Sequence, residues 1–421
     1  MDIFIKNKDY RKFTIASFLS GAGNILFYLA LITYASKLRN YALAISLISI
    51  SESVPQILQV FSGYLADRTK NKFKLMVWLA VIRFGLYLIV GLLFASGFAG
   101  WNLVLAVIGI NLISDIAGSY SGGLEMPLIV NIVGNDDLAE AEGFQSGINS
   151  IINMIAQFIG SGLLLFMSYS SLAIFNALTF LAAGALFASV GRNYYKTHPQ
   201  KETAQVNKQG FFKTIASSFK QVKKANGLLT VVLVIALLNG VLGTIEPLIS
   251  IVIAGNKSSM VIGTYSFTIA LIGGVMTAGV ALGSIVGTKL LKNMSLFTVA
   301  IISTILSAAV IGTMLIKNVF ICLPVMASLA TVIGTASPKL TQWLVEAVDQ
   351  DILSSTMGML STILVVTAPV MTTIFTTITA SFSITIALTL LGVTCLMVLA
   401  IIVRVVYSIN KKNKHTAVNA A

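Results

Sequence analysis

The sequence predicts an all-α integral membrane protein with twelve transmembrane helices in two six-helix bundles related by a pseudo-two-fold. Three observations predict it. The 421 residues are 56% hydrophobic and only 10% charged, with mean hydropathy +0.90, whereas soluble domains carry about 25% charged residues. A water-facing shell cannot be built from so few polar residues. Apolar runs of about 20 residues, each long enough to cross a bilayer as a helix, recur twelve times. A long basic stretch then divides those runs six and six. In lipid the backbone must satisfy its own hydrogen bonds, so helices are the default, and the runs are too long for barrel strands.

The first span, 13–35, follows MDIFIKNKDYRKF. The acids in that leader and the full-length run behind it argue for a retained helix over a cleaved signal peptide. Spans follow at 43–66, 75–96, 100–121, 141–167 and 171–191, then at 227–254, 262–288, 295–316, 319–337, 357–381 and 384–408. The expected organisation is an N-terminal bundle over 1–191, a basic linker over 192–226, a C-terminal bundle over 227–408 and a basic tail over 409–421. Within the linker, GFFKTIASSFKQVKK puts Phe211, Phe212, Ile215 and Phe219 at helical spacing. It reads either as an amphipathic helix on the membrane surface or as a plain basic linker.

The net charge of +13 is topological. Of 28 Lys and Arg residues, 23 fall on the side that holds both termini, and only Lys37, Arg39, Lys257 and Lys317 fall on the other. The positive-inside rule then puts both termini in the cytoplasm of a multi-pass cell-membrane protein. Basic residues placed between apolar runs give no nucleic-acid surface. Cys322 and Cys395 lie inside apolar runs without ligand spacing.

The halves are related at an offset of 215. NDDLAEAEGFQSGI (135–148) aligns with QDILSSTMGMLSTI (350–363), and the same offset pairs Asn24 with Asn239. Two similar halves around a midplane site suit alternating access.

Between spans two and three stands GYLADRTKNK, residues 63–72. It resembles the signature loop of the major facilitator superfamily, Gly-x-x-x-Asp-Arg/Lys-x-Gly-Arg/Lys-Arg/Lys. Gly63, Asp67, Arg68 and Lys72 match, while Lys70 replaces the second glycine and Asn71 a basic residue. The resemblance implies a conformational latch at Gly63, Asp67, Arg68 and Lys72. The second half carries only Gly283-x-x-x-Gly287-Thr-Lys289, without the acid, and its Gly279, Gly283 and Gly287 read as close helix packing. The stretch 112–160 is similar to bacterial macrolide-efflux and siderophore-export members. Span five lacks the Gly-Pro-rich motif of many drug antiporters, with Ala156-Gln157 there instead.

Ionisable groups inside spans cost roughly 2.5–3.5 kcal/mol by insertion measurements and need a partner or water. Arg83 in span three and Asp115 in span four lie at matched depth on antiparallel neighbours and suit a buried pair, with a proton relay as the other reading. Glu246 precedes Pro247 in span seven. It is either a proton or cation site at a loosened turn or a carboxylate reaching outside water, and Glu52 in span two offers the same choice. Gln145, Asn149, Asn153 and Gln157 recur every four residues in span five and, with Asn24, Tyr28 and Asn239, are candidate cleft-lining residues. Interhelical hydrogen bonding is the plainer reading for each alone. Asp136, Asp137, Glu140 and Glu142 read as a solvated acidic turn.

No phosphate-binding Gly-x-x-x-x-Gly-Lys-Ser/Thr occurs, and His198 and His415 lie in polar segments. No ATP hydrolysis, metal, cofactor or enzyme activity is expected. The resemblance implies a monomeric secondary transporter exporting a small amphipathic compound against protons, with Glu246, Asp115 and Glu52 as proton-coupling candidates. Uptake of a polar metabolite and a non-transporting membrane sensor or immunity protein are the alternatives.

Overall fold

In the computed structural model, residues 2–134, 136–197, 228–287, 294–347 and 350–419 are described, except for the side chains at 60, 63, 67, 139, 228–231, 286–287, 337–339, 341–347, 350–361 and 408–419. Every regular element among the described residues is a helix. The order is α1 (Asp2–Lys6), α2 (Lys8–Ala35), α3 (Tyr41–Arg68), α4 (Lys72–Ala95), α5 (Gly100–Val133), α6 (Leu138–Phe166), α7 (Tyr169–Thr197), α8 (Leu228–Gly255), α9 (Lys257–Met260), α10 (Tyr265–Leu282, continued as a π-turn over Gly283–Gly287), α11 (Leu296–Ile316), α12 (Val319–Ala347), α13 (Gln350–Ser381) and α14 (Ile384–Asn419). Twelve of these are long and apolar enough to cross a membrane. Their flanks expose large apolar side chains such as Phe166 at 86% and Phe382 at 74%. Water would not tolerate that surface, whereas acyl chains solvate it.

The chain divides into two compact units. One is Met1–Lys208 with Gly263–Gly274, and the other is Gln209–Ile262 with Val275–Ala421. The first unit packs α2 on α6 and α7, α3 on α5, and α4 on α5 and α7. The second packs α8 on α13 and α14, the π-turn of α10 on α12, and α11 on α12 and α14. Counting spans within each half, the same partners meet in both. That agreement supports the duplication read from the 215-residue offset.

At the basic end of the first unit, Tyr10, Phe13, Phe73, Met76, Leu128 and Phe187 form a buried core. In the second unit Val234, Leu238, Ala300, Val398 and Ile402 form another. Cys322 and Cys395 are buried and unbridged in α12 and α14.

Four features depart from the sequence reading. Span four does not end at 121 but continues as α5 to Val133. The acidic turn therefore shrinks to 134–137, with Gly134 at φ +80° and Glu140 and Glu142 in α6. Gly123 lies within α5. It lets the helix cross α3 closely, since a Cβ there would sit 2.8 Å from the Ser62 carbonyl carbon. Span six runs on to Thr197, while the linker residues 198–227, including the expected amphipathic helix, lie outside the described residues. Pro247 does not break span seven, because α8 is continuous. Proline removes the N–H that would bond the Gly243 carbonyl four residues earlier. Thr372 Oγ1 of α13 donates to that oxygen instead, at 3.2 Å.

Candidate functional site

Arg83 projects from α4 into the interior of the first unit. It stands eleven residues past the start of α4, about 16 Å along the axis and near mid-span. Only 4% of its side chain is exposed, so each donor needs an acceptor. Nε donates to Ser114 Oγ at 3.1 Å, Nη1 to Ser20 Oγ at 3.0 Å and Nη2 to Asn24 Oδ1 at 2.7 Å. The guanidinium carbon lies 3.9 Å from the centre of the Phe180 ring, a cation–π placement. Gly118 leaves room for the head group, since a Cβ there would come 3.1 Å from Arg83 Cζ.

Asp115 Oδ1 lies 3.9 Å from Arg83 Nη2. That is an ion pair at long range. A charge-assisted hydrogen bond would be about 2.7–2.9 Å. The close partner of Asp115 is Asn111, one turn earlier on α5. Asn111 Nδ2 donates to Asp115 Oδ2 at 2.7 Å and to Glu52 Oε1 of α3 at 2.8 Å. Asn111 Oδ1 accepts from Tyr87 OH at 2.5 Å. This network sets the amide orientation, because the reverse would turn oxygen toward two carboxylates. One amide thus holds two acids side by side, with a single guanidinium nearby. Arg83, Glu52, Asp115 and Asn24 come together in this cluster, with Asn111, Tyr87, Ser114 and Ser20 completing it.

A second polar contact lies further along α5. Gln145 Nε2 donates to Glu125 Oε2 at 2.9 Å, and the buried Gln145 Oε1 has no hydrogen-bond partner. Sequence reasoning missed Glu125 because span four was ended before it. It missed Asn111 too, although an amide one turn from an intramembrane acid was a readable signal.

The span-five residues differ in burial. Gln145 is buried, Asn149 and Asn153 are exposed, and Gln157 is intermediate with a buried, unpartnered Oε1. Tyr28 is partly buried. In the second unit Asn239 Nδ2 donates to the Leu364 carbonyl at 3.0 Å. Glu246 is exposed on α8.

At the signature loop, α3 ends at Arg68 and α4 starts at Lys72. Lys317 is the one non-glycine residue at positive φ among the described residues. Lys70 therefore makes the turn without the conformation a glycine would supply. Arg68 stacks 4.2 Å over Tyr64. Lys72 Nζ donates to the Thr69 carbonyl at 2.9 Å, and Thr69 Oγ1 meets Tyr120 OH at 2.8 Å. Nothing is described of the surroundings of Gly63 or of the Asp67 side chain.

A model of the family described as Major Facilitator Superfamily matches residues 13–364. No curated protein matches the chain in sequence. Among solved structures, the nucleoside transporter NupG is similar with a TM-score of 0.67 at 13% identity, over 94% of this chain and 100% of that one. An auto-inhibited POT-family peptide transporter gives 0.65 at 13% identity, over 94% and 96%. A bacterial homologue of the iron transporter ferroportin, in an inward-facing state, gives 0.61 at 11% identity, over 94% and 98%. At such identities the likeness speaks for the fold alone.

Proposed function

The chain belongs to the Major Facilitator Superfamily, and we propose that it is a proton-coupled exporter of a small amphipathic organic compound, of macrolide-like or siderophore-like chemistry, working as a monomer in the cell membrane with both termini cytoplasmic. The observation that carries the coupling is the Glu52–Asn111–Asp115 bridge beside Arg83. Two carboxylates bonded to one nitrogen repel each other strongly when both are ionised. One guanidinium balances one of them. A single proton on the pair makes the cluster neutral, and losing it leaves one uncompensated charge in a low-dielectric interior. Such a cluster couples proton occupancy to the packing of α3, α4 and α5. Glu246, exposed on α8, is the second proton-coupling candidate, and Asp67 with Arg68 is the candidate latch.

The export direction rests on the likeness of 112–160 to efflux members. The charged cluster itself suits the second reading, uptake of a polar metabolite. A drug-susceptibility and dye-flux panel separates them, run with and without an uncoupler in cells carrying wild type, Glu52→Gln, Asp115→Asn or Glu246→Gln. Export that collapses with the uncoupler and in the Glu52 and Asp115 variants supports the proposal. Dye retention indifferent to all four conditions refutes it.

A further inference from the structure

A groove of about 200 Å³ opens on the flank of the first unit between α4 and α7. Its wall is Phe73, Val77 and Phe187, and its rim carries Lys74, Trp78 and Arg192. Gly191 keeps the floor shallow, since a Cβ there would sit 2.8 Å from Phe73 Cβ. Lys74 is the third residue of α4, and Trp78 follows one turn deeper on the same face. Arg192 stands five residues before the end of α7, at that same end of the bundle. Charge at the rim, an indole one turn in and an apolar wall behind follow the order of a phospholipid: phosphate, glycerol level, acyl chain.

Both basic groups are exposed, and neither is paired with an acid among the described residues. Asn193, beside Arg192, donates from Nδ2 to Asp9 Oδ1 at 3.0 Å. The groove belongs to two membrane-spanning helices, and Trp78, at 57% exposure, borders it. We infer that the α4–α7 groove binds an anionic diacyl phospholipid, with its phosphodiester held by Lys74 and Arg192 and an acyl chain along Trp78. Charge complementarity selects an anionic headgroup over a zwitterionic one, and basic pockets between membrane helices recognise lipids in this way. This inference stands on the groove and its charges, independently of substrate and coupling.

The chain holds three tryptophans. Full-length protein carrying Trp101→Phe and Trp343→Phe, in vesicles of equal phosphatidylglycerol and phosphatidylcholine, leaves Trp78 as the reporter. One lipid or the other is brominated on its acyl chains. The two quenching levels give the relative occupancy at Trp78. The expected result is a preference for phosphatidylglycerol of roughly fivefold or more, since one surface-level basic group is worth about that factor. Lys74→Gln with Arg192→Gln brings the ratio close to one, each single change lowers it part way, and Lys74→Arg with Arg192→Lys keeps it. Circular dichroism checks that each variant is folded, and the single variants carry the test where the double one fails to fold. Equal quenching in both mixtures, a preference that survives charge removal, or displacement by inorganic phosphate would overturn the inference.

Discussion

Glu52 and Asp115, on the packed helices α3 and α5, share the two N–H donors of one amide, Asn111 Nδ2, at 2.8 and 2.7 Å. Each acid is thereby sensitive to the other's charge through a group that cannot turn around without losing Tyr87 as well. Asn111→Leu removes both donors and leaves the phenol without its acceptor. Hydrogen bonds to charged groups contribute about 1.5–3 kcal/mol each, so a loss of at least about 2 kcal/mol is expected. Thermal unfolding of the purified variant in detergent measures it.

Arg83 behaves differently alone and in combination. Arg83→Gln strands the acids and is expected to cost about 3–5 kcal/mol, the usual penalty for breaking one side of a buried pair. Adding Asp115→Asn removes the charge left behind. The double variant is therefore expected to be more stable than the single one. Comparing midpoints in the same detergent decides it, and a double variant no better than Arg83→Gln would mean that Arg83 is held by Ser20, Asn24 and Ser114 alone.

Coupling separates from exchange. In reconstituted vesicles, Glu52→Gln and Asp115→Asn are each expected to lower flux driven by an imposed pH gradient at least tenfold, while substrate counterflow without a gradient persists. A proton-binding role predicts that split, whereas a purely structural role predicts equal losses in both assays. The tenfold floor corresponds to about 1.4 kcal/mol of lost coupling.

Gly123 stands at a close approach of α5 to α3. Gly123→Val places branched carbon where the Ser62 carbonyl already stands 2.8 Å from an added Cβ. Overpacking of this kind costs about 1–3 kcal/mol. The expected outcome is lower yield and an earlier melt, with Gly122→Val, whose Cβ would meet nothing within 4 Å, close to wild type.

The number of spans was legible because a membrane helix needs a fixed length of apolar chain, and twelve such lengths are present. Their ends were less legible. The fourth span was ended at 121, whereas α5, packed on α3 at Gly123, stays helical to Val133. Proline at 247 misled in the same way, because a threonine 125 residues further on supplies the missing donor. The matched depth of Arg83 and Asp115 could be counted from the span ends. That Asn111 would intervene between Asp115 and Glu52 could not, since it depends on how α3 is rotated against α5. The four-residue spacing in span five was real, but each step drifts about 40° around a helix. By Asn149 the series has left the interior face that Gln145 occupies.

The two thiols add a practical consequence. Cys322 and Cys395 are both fully shielded and both belong to the C-terminal half, and the N-terminal half has none. A maleimide dye that fluoresces on reaction will stay dark on the native protein and light up when that half alone opens. The natural chain is thus a one-sided denaturation sensor, and a single cysteine introduced among the buried alanines of α2 or α7 would report the opposite half on its own.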